Sequence, residues 1–142
     1  MRTLSIALFL SLAGTAMSQE QKSQPPAAPT ITVQEAVIAT GVEKRLPVGV
    51  ASQFSPEMGQ LFCWTKLTAA EAPTEIEHVW HFNGKEVGRT KLSVGAKTWR
   101  TWSRKTIAKT WIGDWRVDVV DVHGNVLKSV GFSTRNAPEP KK

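Results

Sequence analysis

One dipeptide restricts this chain more than any other local feature. Asn83-Gly84 follows a run in which Ile76, His78, Trp80 and Phe82 alternate with Glu75, Glu77, Val79 and His81, and residues 85–94 come after it. A two-residue hairpin loop that matches the twist of its strands needs positive φ at both positions, which Asn and Gly tolerate best. Residues 75–82 and 85–94 are therefore predicted to form an antiparallel hairpin.

The same alternation recurs along the chain. Residues 31–40 are rich in β-branched side chains. Leu61, Cys63, Thr65 and Leu67 share one strand face, with Phe62, Trp64 and Lys66 on the other. Residues 98–105 read as a further strand, and Trp115, Val117, Val119 and Asp121 alternate with Arg116, Asp118 and Val120. Val122-His123-Gly124-Asn125 turns the chain back into residues 126–134. No long stretch keeps a helical period, although residues 105–111 or 43–48 have room for a short turn of helix. The pattern predicts an all-β protein of about seven strands, an antiparallel β-sandwich of immunoglobulin-like architecture. A small barrel is the alternative. At 142 residues the chain is one domain. Its single Cys excludes an internal disulfide framework and a multi-cysteine metal site.

The ends read differently. Met1-Arg2 precedes a mostly apolar run over residues 4–13, followed by Gly14-Thr15-Ala16-Met17-Ser18. This is the pattern of a secretory signal peptide, cleaved after Ser18 or, as a second choice, after Ala16. The apolar run is too short for the roughly 20 residues that span a bilayer, so no transmembrane span is expected in the mature chain. Residues 19–29 are rich in Pro, Gln and Ala and are predicted as a linker, and residues 136–142 as a disordered basic tail. Residues 30–135 are left as the folded domain. A periplasmic or secreted location follows.

Several blocks carry a family likeness. Phe62-Cys63-Trp64-Thr65, His78-Val79-Trp80, Trp99-Arg100-Thr101-Trp102-Ser103 and Gly113-Asp114-Trp115 resemble the bacterial "domain of unknown function 2914" family in order and spacing. The likeness runs from about residue 59 to residue 134. It implies a small extracytoplasmic all-β domain. It implies no activity and brings no catalytic residues.

Candidate chemistry is sparse. His78-x-x-His81 invites a metal, but residues three apart on a strand face opposite sides. His78 is therefore expected in the core. Cys63, flanked by Phe62 and Trp64, reads as a small buried hydrophobe. No Gly-x-Ser-x-Gly elbow is present, and Ser103 lies inside a strand. Asp114 and Asp118 are expected on a solvated face, and Asp121 at the start of a turn. The chain is accordingly expected to be no enzyme, with no catalytic residue, metal or cofactor. Two alternatives remain: a metal-binding protein or small periplasmic enzyme using His78, His81, Glu77 or Cys63, and a purely structural domain.

Charge is the most informative feature left. Residues 30–84 hold three basic and six acidic residues, a net −3. Residues 85–116 hold nine basic and two acidic residues, a net +7, together with four of the six Trp. In the strand at 98–105, Arg100, Trp102 and Arg104 share one face, and Trp99 is expected to point inward. Trp102 is then expected between two guanidinium groups able to stack on its indole. Trp64, Trp80 and Trp115 are expected to pack in the core. The binding residues predicted are Arg100, Trp102, Arg104, Lys105 and Arg116. An envelope protein or an anionic polysaccharide fits such a surface; nucleic acid, which an exported protein seldom meets, is not expected.

Overall fold

The structure is a computed structural model and describes residues 30–137. The predicted leader and linker, and residues 138–142 of the predicted tail, lie outside the described residues. Ten strands follow one another: β1 (Ile31–Ala39), β2 (Gly41–Glu43), β3 (Leu46–Val48), β4 (Gln53–Phe54), β5 (Gln60–Ala69), β6 (Thr74–Phe82), β7 (Lys85–Val94), β8 (Thr98–Thr106), β9 (Gly113–Val120) and β10 (Val126–Thr134). Among the described residues the chain is all-β, apart from a single 3-10 turn at Pro56–Met58. β1 and β5 to β10 are the seven strands read from alternation. β2, β3 and β4 are extra, and at two or three residues they are too short to show a period.

No helical turn forms in either segment that had room for one. Residues 44 and 45 instead make the two-residue loop of the β2–β3 hairpin, with positive φ at Lys44 (51°) and Arg45 (64°). Asn83 (φ 47°) and Gly84 (φ 83°) take the same positive-φ geometry between β6 and β7, as their sequence requires.

One sheet has the strand order β1-β5-β8, and the other has β4-β10-β9-β6-β7. Every neighbouring pair is antiparallel except β4 with β10. The two sheets share their core. Ile38, Leu61 and Cys63 from the first meet Trp80, Trp115, Val117 and Phe132 from the second, and Ile31, Leu67 and Ala69 meet Ile76 and Val119. Trp115 packs between Phe82 and Phe132, with ring centres 4.7 and 5.5 Å away. Its Nε1–H donates to the buried Thr134 hydroxyl at 3.0 Å.

A polar bridge crosses this core. His78 on β6 is fully buried. Its Nε2 lies 2.9 Å from the Thr65 hydroxyl on β5, and its Nδ1 lies 2.7 Å from the Ser103 hydroxyl on β8. Trp80 Nε1–H donates to the same Ser103 oxygen at 3.1 Å. A neutral imidazole, one nitrogen donating and one accepting, satisfies both hydroxyl contacts. Burial disfavours the charged ring and lowers the His78 pKa from its ordinary 6.5 to about 4.

That depression fixes a sign. The unfolded chain takes up a proton below about 6.5 that the folded protein refuses. The stability it contributes is complete above that pH and is lost as pH falls towards 4, a loss of about 3 kcal/mol. In urea unfolding between pH 7 and pH 4, His78→Gln should be less stable than the parent at pH 7 but flatter across the window. An equally steep slope in both proteins would assign the acid sensitivity to other groups.

At the β6–β7 turn, Asn83 does a second job. Its Oδ1 accepts from Asp114 N–H at 3.0 Å, and its own N–H donates to Asp114 O at 2.8 Å. The amide lies against Gly113, where a Cβ would collide with it. Gly113→Ala should therefore destabilise by about 1–3 kcal/mol, the usual cost of overpacking. Gly131→Ala, whose added Cβ meets nothing nearer than 3.9 Å, serves as the control in the same melting experiment.

Candidate functional site

The His78 bridge also sets the orientation of β8. Ser103 must face the core to reach the imidazole, and strand alternation then turns Arg100, Trp102 and Arg104 outward. The register places Phe62 opposite Arg104, Trp64 opposite Trp102 and Lys66 opposite Arg100. Trp99 pairs with Leu67, points inward and packs half-buried against the core, as expected.

Trp64 is buried, but on the outer face of its sheet rather than in the shared core. The β2–β3 hairpin lies over it, and Trp64 Nε1–H donates to Arg45 O at 3.0 Å. Left-handed backbone at a residue other than Gly costs about 1–2 kcal/mol. Two such residues at the hairpin tip persist because they bring Arg45 onto the indole and satisfy its N–H.

Arg45 then reaches the free edge of β8. Its guanidinium carbon lies 5.4 Å from the Trp99 ring centre, and Nη2 donates to Arg100 O at 3.4 Å. The cation–indole stack expected at Trp102 is thus found at Trp99, with Arg45 as the cation. Arg45, Thr98, Trp99 and Arg100 line a shallow pocket of about 360 Å³. Arg45 stands 55 residues from Arg100 in an otherwise acidic stretch, so no local pattern marks it.

The five predicted binding residues do not form one patch. Arg100, Trp102 and Arg104 share the outer face of the three-stranded sheet. Lys105 points the other way, and its ammonium lies 5.8 Å from the Trp111 ring centre and beside Gly88 of β7. It plugs the side where β7 and β8 run past each other. Arg116 is on the outer face of the five-stranded sheet, with Nε 3.0 Å from Asp118 Oδ1.

Arginine pairing differs between the two sheets. Arg89, Arg116 and Arg135, all on the five-stranded side, each have a carboxylate partner at 3.1 Å or less. Among the described residues Arg45, Arg100 and Arg104, all on the three-stranded side, have none within 4.0 Å. Lys66 stands between Glu35 on β1 and Arg100 on β8, without an ion pair to Glu35. Like charges directly opposite on antiparallel strands repel. The face therefore holds a cationic cluster that costs the fold stability.

The residues of the alternative readings are otherwise engaged. Burial pushes the Cys63 thiol up to about 12 against a hydrogen bond with Thr65, and Cys63 is an inert core residue. Ser103 and His78 stand at nucleophile–base distance, but both are buried. Glu77 is paired with Arg89. His81 Nε2 lies 3.2 Å from Asp118 Oδ2, out of line for a hydrogen bond, and is left without a partner. Asp118, expected on a solvated face, is nearly buried and accepts from Ser129 Oγ–H at 2.6 Å. Asp121 starts its turn as expected. Burial opposes its charge, but hydrogen bonds from Asn125 and His123 hold its carboxyl below the usual range. Among the described residues no three His, Cys, Asp or Glu side chains converge as a metal site. No helix there is long and apolar enough to cross a membrane.

Removing the repulsion should be visible in the absence of any ligand. Arg100→Gln should raise the melting midpoint, by a few tenths to about 1 kcal/mol in stability. A clear loss would instead make Arg100 a structural element of the sheet.

No curated protein matches the chain. A solved structure, that of endonuclease/exonuclease/phosphatase from Beutenbergia cavernae DSM 12333, is similar at a TM-score of 0.32 and 12% identity over 75% of this chain. The matched region spans 36% of that chain, and a likeness this weak carries nothing about activity. Trp99, Arg100, Trp102 and Arg104 all fall in a segment, residues 73–134, that matches the family described as protein of unknown function (DUF2914).

Proposed function

We propose that this protein is an exported, non-catalytic binding module, an immunoglobulin-like sandwich that holds an anionic envelope component, glycan or protein, on the outer face of its three-stranded sheet. One observation carries the reading: the arginines without carboxylate partners, Arg45, Arg100 and Arg104, gather on that face, whereas those of the opposite sheet are paired. Trp102 lies between Arg100 and Arg104, so the face offers an aromatic surface flanked by charge. Arg100, Trp102 and Arg104 carry the function, joined by Arg45. Lys105 lies beside Trp111 and Gly88, and Arg116 pairs with Asp118 on the opposite sheet, so neither joins that face.

Attraction between a cationic face and an anionic polymer weakens as salt shortens the screening length. Retention of the full chain on immobilised dextran sulfate should therefore fall steeply between about 0.05 and 0.5 M salt. The double variant Arg100→Ala/Arg104→Ala should elute early and lose most of that dependence. Unchanged retention and an unchanged salt profile would sink the proposal.

A further inference from the structure

The pocket at the edge of β8 says more about the ligand, granted the binding face just proposed. Arg45 is fixed at both ends. Its carbonyl is held by the Trp64 indole N–H, and its guanidinium is seated over Trp99 and anchored to Arg100 O. One Nη–H is used in that anchor, and the others have no carboxylate among the described residues. A planar guanidinium seated on an indole, with one N–H anchored, is a partly preorganised fork for an oxyanion. Arg100 adds a second cation at the same pocket, and Thr98 adds a hydroxyl.

Trp99 is not a stacking platform. One side of it carries Arg45, and its ring edge abuts Gly95, where an added Cβ would come within 3.0 Å. Trp102 is as half-buried as Trp99 but lies on the outer face, two residues further along the same strand face as Arg100, with Arg104 two residues beyond. The order along β8 is therefore oxyanion pocket, indole and cation. Arg100 and Arg104 are separated by roughly 13 Å of extended strand. Such an array suits an extended chain whose charged groups are separated by a flat, uncharged ring.

We infer that the ligand is an acidic polysaccharide bearing oxyanion groups on alternate rings. Arg45 and Arg100 hold one acidic group, Trp102 packs against the uncharged ring, and Arg104 meets the next charge. A run of Asp or Glu residues has no ring to place on Trp102, and its charges lie closer together.

The test titrates the full chain at low salt with hyaluronan fragments, in which carboxylates alternate with uncharged rings. Poly-L-glutamate of matched total charge and neutral dextran serve as comparisons. Hyaluronan should bind tightest and dextran not at all. Arg45→Lys keeps the charge but not the fork, and it should weaken hyaluronan binding about tenfold or more, the loss of one charge-assisted contact. Lys109→Gln, an exposed charge removed away from the face, should change it little. The melting midpoint of Arg45→Lys, measured alongside, checks that the hairpin remains docked. Poly-L-glutamate binding as tightly as hyaluronan, or Arg45→Lys binding hyaluronan like the parent, overturns this inference. The binding-face reading survives either result if dextran sulfate retention still depends on Arg100 and Arg104. If no polyanion binds, both fall.

Discussion

His78 joins the two sheets through a pair of hydroxyls, and much of the structure follows from that bridge. β6 belongs to one sheet, while β5 and β8 belong to the other. The imidazole reaches Thr65 on β5 and Ser103 on β8 at hydrogen-bonding distance. A buried polar group left without partners costs roughly 1–3 kcal/mol, so other registers of these strands are penalised. Slipping β8 by one residue would take Ser103 off the imidazole and turn Arg104 and Trp102 into the core. The bridge that holds the sheets together therefore also presents the arginines to solvent.

The two outer faces are built on different principles. On the five-stranded sheet, Arg89 sits between Glu77 and Glu86, and Asp118 gathers Arg116 and Ser129. Each arginine of that face has a carboxylate partner. On the three-stranded sheet, Lys66 stands opposite Arg100, and the β2–β3 hairpin delivers a third cation to the same place. Like charges gathered in this way repel one another. The cluster lies beside an indole and a pocket, and the left-handed backbone at Lys44 and Arg45 is a further local cost at the same spot.

Local signals are legible in the sequence wherever the physics is local. Asn83-Gly84 needs only its own dihedral preferences to turn the chain, and both residues have positive φ. Alternation found β1 and β5 to β10 because a strand with one buried face writes that burial into its sequence. It missed β2, β3 and β4, which pair over too few residues to leave a period. Trp99 was placed inward because its strand neighbours carry less charge. The indole partner was misjudged: proximity in sequence suggested Arg100 and Arg104 around Trp102, whereas the guanidinium on an indole is that of Arg45, on Trp99.

By itself, the sequence determined an all-β chain, most of its strands, a family likeness over residues 73–134 and the concentration of charge and Trp in residues 85–116. These rest on dihedral preference, period and composition, which act within a few residues. Only the tertiary structure decided which basic residues share a surface. Lys105 and Arg116 lie in the same basic segment as Arg100, but strand parity sends one to the β7–β8 gap and the crossover to the second sheet sends the other to the far face. Arg45 lies in an acidic stretch, but a hairpin seated on Trp64 carries it to Arg100. A site assembled across sheets depends on register and packing, and neither is encoded at any single position of the chain.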